Sequence, residues 1–290
     1  MRELLLGSIA ISFAPVFVKL AAVSADAAAF WRMAFGLAGL LAVTGLQRLR
    51  LAMPRDSFWP ALGAAVLFAA DLLCWHRSIL SVGPGLATLL ANFQVFLLIA
   101  AGWALLGSRP TARGLAAPAL ALAGLWLILG PEQSGGDFAT GVGYGLAAAV
   151  LYAGYLLLLR RATARAGEGG HHPVMVLVTG VSGVLCALFL AGNEGMSLPP
   201  AQGLVMLAAL GLVAQVAGWR FISRGLPRVS PGAGGLLLML QPCLAYVWDV
   251  LFFAKPLLAP EAAGAVLALA GIALGANEER RLVAGLARNR

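Results

Sequence analysis

The chain has 290 residues, 61% of them hydrophobic and only 11% charged, and its mean hydropathy is +0.89. That composition excludes an ordinary soluble globular domain and places the protein in a membrane. The net charge of +8 suits a nucleic-acid partner only when the basic residues gather on one face, and here they are spread along the chain in short loops, so nucleic acid is excluded as well.

Apolar runs of about 17 to 25 residues, the length that crosses a bilayer as helix, predict ten spans near 4–22, 27–46, 58–80, 85–107, 113–130, 137–159, 172–191, 200–223, 231–253 and 259–276. These runs are apolar on all sides, whereas a membrane barrel needs shorter alternating segments. The predicted class is therefore an all-α integral membrane protein. Arg2 precedes the first run as in a secretory signal, but no small-residue cleavage site follows it, so a mature helix is expected there.

In the first span Ser8, Ser12, Pro15 and Lys19 recur every three or four residues, which places them on one stripe. The stripe suits either a pathway lining or serines that clasp neighbours beside an outward-reaching lysine. In the second, Asp26 and Arg32 are read as a structural pair. The third carries Asp71 near its middle and Trp75 one turn later; a polar group beside an indole can hold the head of a small metabolite against an apolar wall. His76 and Arg77 follow and are read as structural. Asn92 and Gln94 in the fourth span offer amides that donate and accept. In the sixth, Gly141 and Gly145 have the spacing that lets helices approach closely, and Tyr152 and Tyr155 are softer binding candidates. His171 and His172 precede the seventh span without partners at metal spacing and are expected to face solvent. Gln215 and Trp219 in the eighth repeat the spacing of Asp71 and Trp75, and Gln241 and Tyr246 lie in the ninth. Gly271 and Gly275 in the tenth have the same close-approach spacing. The three cysteines, Cys74, Cys186 and Cys243, lie inside spans and imply no disulfide framework.

Fifteen of the 20 lysines and arginines fall at the N-terminus (Arg2), in the even-numbered loops or in the tail, and only Lys255 is in an odd-numbered loop. The positive-inside rule then puts both termini in the cytoplasm. The pentapeptide LALAG occurs at Leu120 to Gly124 and again at Leu267 to Gly271, 147 residues apart. The same shift brings Pro84 onto Pro231, Gly85 onto Gly232 and Gln94 onto Gln241, and a shift of 144 brings Asp71 onto Gln215 and Trp75 onto Trp219. The chain is thus read as two five-helix halves, 1–130 and 131–276, with a basic tail at 277–290. Because five is odd, the halves enter the membrane in opposite senses, an arrangement characteristic of secondary transporters.

Phe30-Trp31-Arg32, the run GPGLATLLANFQVF (Gly83 to Phe96) and its counterpart SPGAGGLLLMLQPC (Ser230 to Cys243) make the chain resemble the drug/metabolite transporter superfamily, with two EamA-type repeats. The resemblance implies export of amino acids or related small metabolites through a central cavity, as in exporters of the YddG type. Such proteins often carry Gly-Glu at the end of the fourth helix, where this chain has Gly107-Ser108.

The expected substrate-binding residues are Ser12, Lys19, Asp71, Trp75, Asn92, Gln94, Tyr152, Gln215, Trp219, Gln241 and Tyr246. No cofactor, metal or catalytic set is expected: GVGYG at Gly141 to Gly145 has no parallel-sheet context, and no Walker sequence is present. The expected partners are the lipid bilayer and a small-molecule substrate, in a bacterial-type inner membrane, with monomer and homodimer both open. With Asp71 the one carboxylate near a span's centre, uniport is favoured over proton antiport. The alternatives are a carrier or flippase for sugar-phosphate or lipid-linked sugar, and a membrane-embedded enzyme. The first should show several cationic cavity residues, and the second a converging acid and base; Asp71 and His76, five residues apart, point about 140° away from each other.

Overall fold

The computed structural model describes residues 1–107, 110–129, 137–167, 169–254, 256 and 258–288. Ser108, Arg109, Lys255 and Arg290 lie outside the described residues. Among those described, nine helices are long and apolar enough to cross a membrane, and a shorter apolar one makes the tenth. In chain order they are α1 (Arg2–Ala21), α2 (Ala25–Leu46), α3 (Arg55–Val82), α4 (Leu86–Leu105), α5 (Ala112–Ile128), α6 (Phe138–Ala166), α7 (His171–Asn193), α8 (Ala201–Arg228), α9 (Pro231–Phe253) and α10 (Ala259–Arg281).

Local chemistry sets the ends and breaks. α1 is interrupted at Phe13, where Pro15 lacks an N–H and its ring crowds the preceding turn. Ser24, Asp137 and Ser230 cap α2, α6 and α9 by accepting backbone N–H bonds. The Thr140 hydroxyl, 2.6 Å from Asp137, holds that carboxyl below its usual range, so the cap weakens as pH falls through the lowered value. In α8 the backbone widens into a π-helix over Gly211–Gly218, and Leu226–Arg228 tightens into a 3-10 turn. Those three residues lie where the repeat shift passes from 144 to 147.

Helical backbone runs without a break from Arg55 to Asn92, yet the chain reverses inside that stretch. A Cβ on Gly145 would lie 2.9 Å from the Ser78 hydroxyl and 2.8 Å from the Leu90 Cβ, whereas a straight helix would hold those two residues about 18 Å apart. α3 and α4 are therefore antiparallel neighbours.

The helix pairs show how the halves are related. α2 packs on α7, α4 on α9 and α5 on α10, each helix against its own counterpart in the other half; α3 packs on α6 as α8 packs on α1, and α3 on α7 as α8 on α2. In the self-pairs the partners are antiparallel. Thr44 meets His172 while Met33 meets Gly183, and antiparallel mates require a two-fold axis across the helices. The molecule consists of two inverted five-helix repeats.

Small residues make these contacts close. A Cβ on Gly124 would lie 2.5 Å from the Gly264 carbonyl oxygen, and one on Gly271 2.7 Å from that of Ala117; these are two copies of one contact, because 117 and 264 are also 147 apart. The repeated LALAG is the α5–α10 seam. Gly141 and Gly145 likewise seat α6 on α3, and Gly275 meets Leu236 and Ala117. Large apolar side chains such as Leu80, Leu146, Leu188, Leu251 and Val266 stay exposed on the outer faces of the helices, where lipid replaces water.

Positive backbone φ angles obey the same relation. Ala22, Arg48 and Ala254 have φ of 51°, 49° and 51°, and residues 147 positions away are Gly169, Gly195 and Gly107, with φ of 81°, 77° and 67°. Arg48 with Gly195 and Ala254 with Gly107 thus close matching helix ends in the two halves, whereas Ala22 is the C-cap of α1 and Gly169 lies two residues beyond Gly167, the C-cap of α6.

Candidate functional site

Mid-helix polar residues converge where α2, α3, α6, α7 and α8 meet. The Arg32 Nε donates to Gln215 Oε1 at 3.2 Å, and the Gln215 amide nitrogen donates to the Thr179 hydroxyl at 2.9 Å. Gln215 is fully buried and lies in the π-helical part of α8, a feature that often occurs at functional positions. Across from this chain the Tyr155 ring stacks on Phe68 with centroids 4.5 Å apart, Trp219 meets Tyr155 edge-on at 5.0 Å, and Tyr152 stacks at 6.0 Å. Tyr155 and Trp219 are buried, and neither the Tyr155 hydroxyl nor the Trp219 indole N–H has a hydrogen-bond partner among the described residues.

Asp71 completes the belt. Its side chain is 8% exposed, and among the described residues it makes no hydrogen bond or ion pair. It lies within electrostatic range of Tyr152 and Tyr155, which Arg32 also reaches. Arg32 and Asp71 form no ion pair with each other or with any described residue; those that do are Lys19 with Asp249, His76 with Asp26 and Arg228 with Glu3. The Asp71 carboxyl and the Arg32 guanidinium thus both lie near Tyr152 and Tyr155, and neither is ion-paired among the described residues.

Four of the sequence-predicted residues, Asp71, Tyr152, Gln215 and Trp219, belong to this belt. Trp75 lies one turn along α3, half-buried and 5.4 Å from the His76 ring. The remaining residues sit at two other places. Gln94 is buried on α4, and its amide nitrogen donates to the Gly235 carbonyl of α9 at 3.3 Å, while its repeat mate Gln241 leaves a buried amide nitrogen without a partner. Asn92 bonds back to the Thr88 carbonyl of its own helix at 2.8 Å. Ser12, Lys19 and Tyr246 serve helix contacts. Trp248 of α9 donates to the Ser12 hydroxyl at 2.8 Å, Lys19 sits 3.7 Å from Asp249, and the Tyr246 hydroxyl donates to Glu261 at 2.9 Å. The polar stripe of α1 therefore faces α9, and Lys19 pairs with Asp249 rather than approaching Asp71.

Two further expectations change. Asp26 bonds His76 at 2.8 Å and leaves Arg32 to Gln215; six residues rotate a helix by about 600°, so positions 26 and 32 point about 120° apart. His171 and His172 form the first turn of α7 rather than a solvated loop. His172 is 1% exposed and contacts Thr44 at 2.8 Å, and the Arg224 guanidinium donates to His171 at 2.7 Å. Sequence reasoning assigned Arg32 to a pair and passed over Phe68 and Thr179. The available signal was that Arg32 sits on a helix face with no acidic partner three or four positions away.

No group of three His, Cys, Asp or Glu residues among those described is placed to hold a metal. A cleft of about 560 Å³ opens at the helix ends beside Glu3, His171, Arg224 and Arg228, and a second lies between α4, α5, α9 and α10 near Thr111 and Glu279. Neither is lined by Asp71 or Arg32.

The model of the EamA-like transporter family matches residues 4–130 and again 139–275. The chain is 26% identical over 246 residues to the uncharacterized transporter YwfM of Bacillus subtilis, covering 84% of this chain and 81% of that one. It is 24% identical over 206 residues to the uncharacterized transporter sll1319 of Synechocystis, covering 70% and 61%. A solved crystal structure superposes with a TM-score of 0.79 over 97% of this chain and 99% of that one at 20% identity, a likeness of fold.

Proposed function

Because the chain belongs to the EamA-like transporter family, we propose that it is a secondary exporter of amino acids or related small metabolites that works by alternating access between the halves 1–130 and 131–276. The observation that carries this reading is the buried belt, where Asp71 and Arg32, neither ion-paired among the described residues, lie near Tyr152 and Tyr155, and Tyr155 packs on Trp219. Charged groups inside a membrane protein are costly and mark substrate pathways. A small polar solute with an apolar portion matches an aromatic wall flanked by a few fixed polar groups. The sugar-phosphate alternative is less well served, since an anion would engage Arg32 and leave Asp71 unmatched.

The proposed orientation puts both termini in the cytoplasm of a bacterial-type inner membrane, from the placement of the basic residues. The proposed energetics are uniport. A proton-coupled cycle needs an acid that releases its proton to a second group, and no His or second carboxylate contacts Asp71 among the described residues. Proteoliposomes holding purified protein and labelled amino acids test both parts. Saturable downhill flux of at least one amino acid is expected, and a pH gradient imposed at equal substrate concentrations should drive no accumulation. Absence of flux for every amino acid, with sugar-phosphate flux present, overturns the substrate reading. Accumulation that vanishes when the gradient is collapsed overturns uniport.

A further inference from the structure

We propose that the cleft at the ends of α1, α6, α7 and α8 is a binding site for a phosphate group, carried on a small soluble molecule or on a lipid headgroup, with Arg224 as its principal donor. The cleft holds about 560 Å³ and is lined by Arg224, Arg228, His171 and Glu3, so these four side chains face one shared space of the size that takes a small ligand. Neither Asp71 nor Arg32 lines it, and the proposal does not depend on what the belt carries.

Arg224 is anchored but not neutralised. Its Nε donates to His171 Nε2 at 2.7 Å, which fixes the plane of the guanidinium. Both Nη groups have no hydrogen-bond or ion-pair partner among the described residues. They form the donor fork that phosphate oxygens accept in a bidentate way. His171, whose Nε2 accepts, carries the proton of its neutral ring on Nδ1, a further donor.

The surrounding charge is unbalanced. Arg220, Arg224 and Arg228 follow at intervals of four along the end of α8, and all three lie within electrostatic range of His171. Like charges at that spacing repel, and the one carboxylate among the described lining residues, Glu3, pairs with Arg228. Arg220 donates to the Gln47 side-chain oxygen at 3.3 Å, while its buried Nε has no partner among the described residues. Two guanidinium charges are thus left without an acid. A phosphate monoester, with a charge of about −1.5 to −2 at neutral pH, matches that surplus better than a carboxylate does. A topology signal needs only charge near the ends of the spans, and Arg48, Arg50, Arg55 and Arg161 supply it from exposed positions. Arg220 and Arg224 are instead half-buried and held in place by other side chains.

The test is equilibrium binding of glycerol phosphate to the purified full chain in a neutral detergent. Wild-type protein should bind it saturably and at least about tenfold more tightly than glycerate, which offers a carboxylate instead. Arg224→Gln should weaken binding about 10–100-fold, the loss expected for a charge-assisted contact. Arg50→Gln, which removes an exposed charge away from the cleft lining, should bind within about twofold of wild type. Glu3→Gln removes the one acid of the lining and releases Arg228, so it should tighten binding about two- to fivefold. Because a damaged fold cannot tighten binding, that variant decides the matter if Arg224→Gln does not fold. The proposal is overturned if wild-type protein shows no saturable binding, if glycerate binds as tightly, if Arg224→Gln binds as wild type does, or if Glu3→Gln fails to tighten binding. Dihexanoyl phosphatidylglycerol, with the phosphatidylcholine of the same chains as control, then identifies the source. Displacement of glycerol phosphate by the anionic lipid alone assigns the site to a headgroup, and its retention assigns the site to a soluble ligand.

Discussion

Ala254 ends α9 with φ of 51°, while Gly107, 147 residues earlier, ends α4 with φ of 67°. The left-handed conformation brings a Cβ close to the following carbonyl and costs about 1–2 kcal/mol for an ordinary residue, offset in part by the greater freedom of an unfolded glycine. Ala254→Gly should therefore stabilise the protein by about 0.5–1 kcal/mol, and Gly107→Ala should destabilise it by a similar amount. Thermal unfolding of the two variants in detergent measures both, and a lower midpoint for Ala254→Gly counts against the strain. At this scale the sequence was readable only where identity alone decides the outcome. Asp71, Gln215 and Trp219 could be picked out as costly groups at matching positions. Arg32 could not, because which partner a guanidinium takes depends on helix rotation, and the sequence places Asp26 nearer than it places Gln215 or Thr179.

The α5–α10 seam depends on backbone atoms meeting where Gly124 and Gly271 carry no side chain. Gly271→Leu should force the helices apart and cost about 1–3 kcal/mol, the range for overpacking a tight contact. A matching loss in Gly124→Leu is expected because the two sites are copies; thermal melts of the pair check both, and full stability in either variant refutes the seam. The α4–α9 contact runs through Gly232 and Gly235, which meet Ile99, Leu98 and Gln94. A Cβ on Gly232 would lie 3.5 Å from that of Ile99, within disulfide range. The pair Ile99→Cys with Gly232→Cys should cross-link on oxidation, stop transport and recover it on reduction; flux unchanged in the oxidised protein would show that this contact need not open. The sequence announced these elements through apolar length and small-residue spacing. It did not announce the π-helical turn around Gln215, since Gly211–Gly218 reads as unbroken helix; the structure packs that turn closely on Gly36 and Gly39 of α2.

For the whole molecule, ten spans and an inverted duplication were legible because both rest on signals summed over the full length, namely span length, the 147-residue register and the parity of five. The extent of the site was less so, since Gln94 and Gln241 match by register, yet among the described residues the Gln94 amide nitrogen bonds across to Gly235 while that of Gln241 has no partner. The orientation in the membrane rests on basic residues near the ends of the spans. A single cysteine at Arg160 or Arg161 should react with a membrane-impermeant thiol reagent only after the cells are opened, in a chain whose native Cys74, Cys186 and Cys243 have been replaced. Labelling from outside intact cells would reverse the assignment.

The placement of LALAG on both sides of the two-fold axis has a mechanical corollary. Exchanging the roles of the halves carries the Gly124–Gly264 contact onto Gly271–Ala117, so the seam maps onto itself and is the same before and after the exchange. The Gln94–Gly235 bond has no such invariance; it is carried to Gln241 and Thr88, a bond the described structure does not contain. In the proposed alternating access, a rocking motion would have its fulcrum at α5 and α10 and its travel at α4 and α9, and one fixed point would serve both strokes.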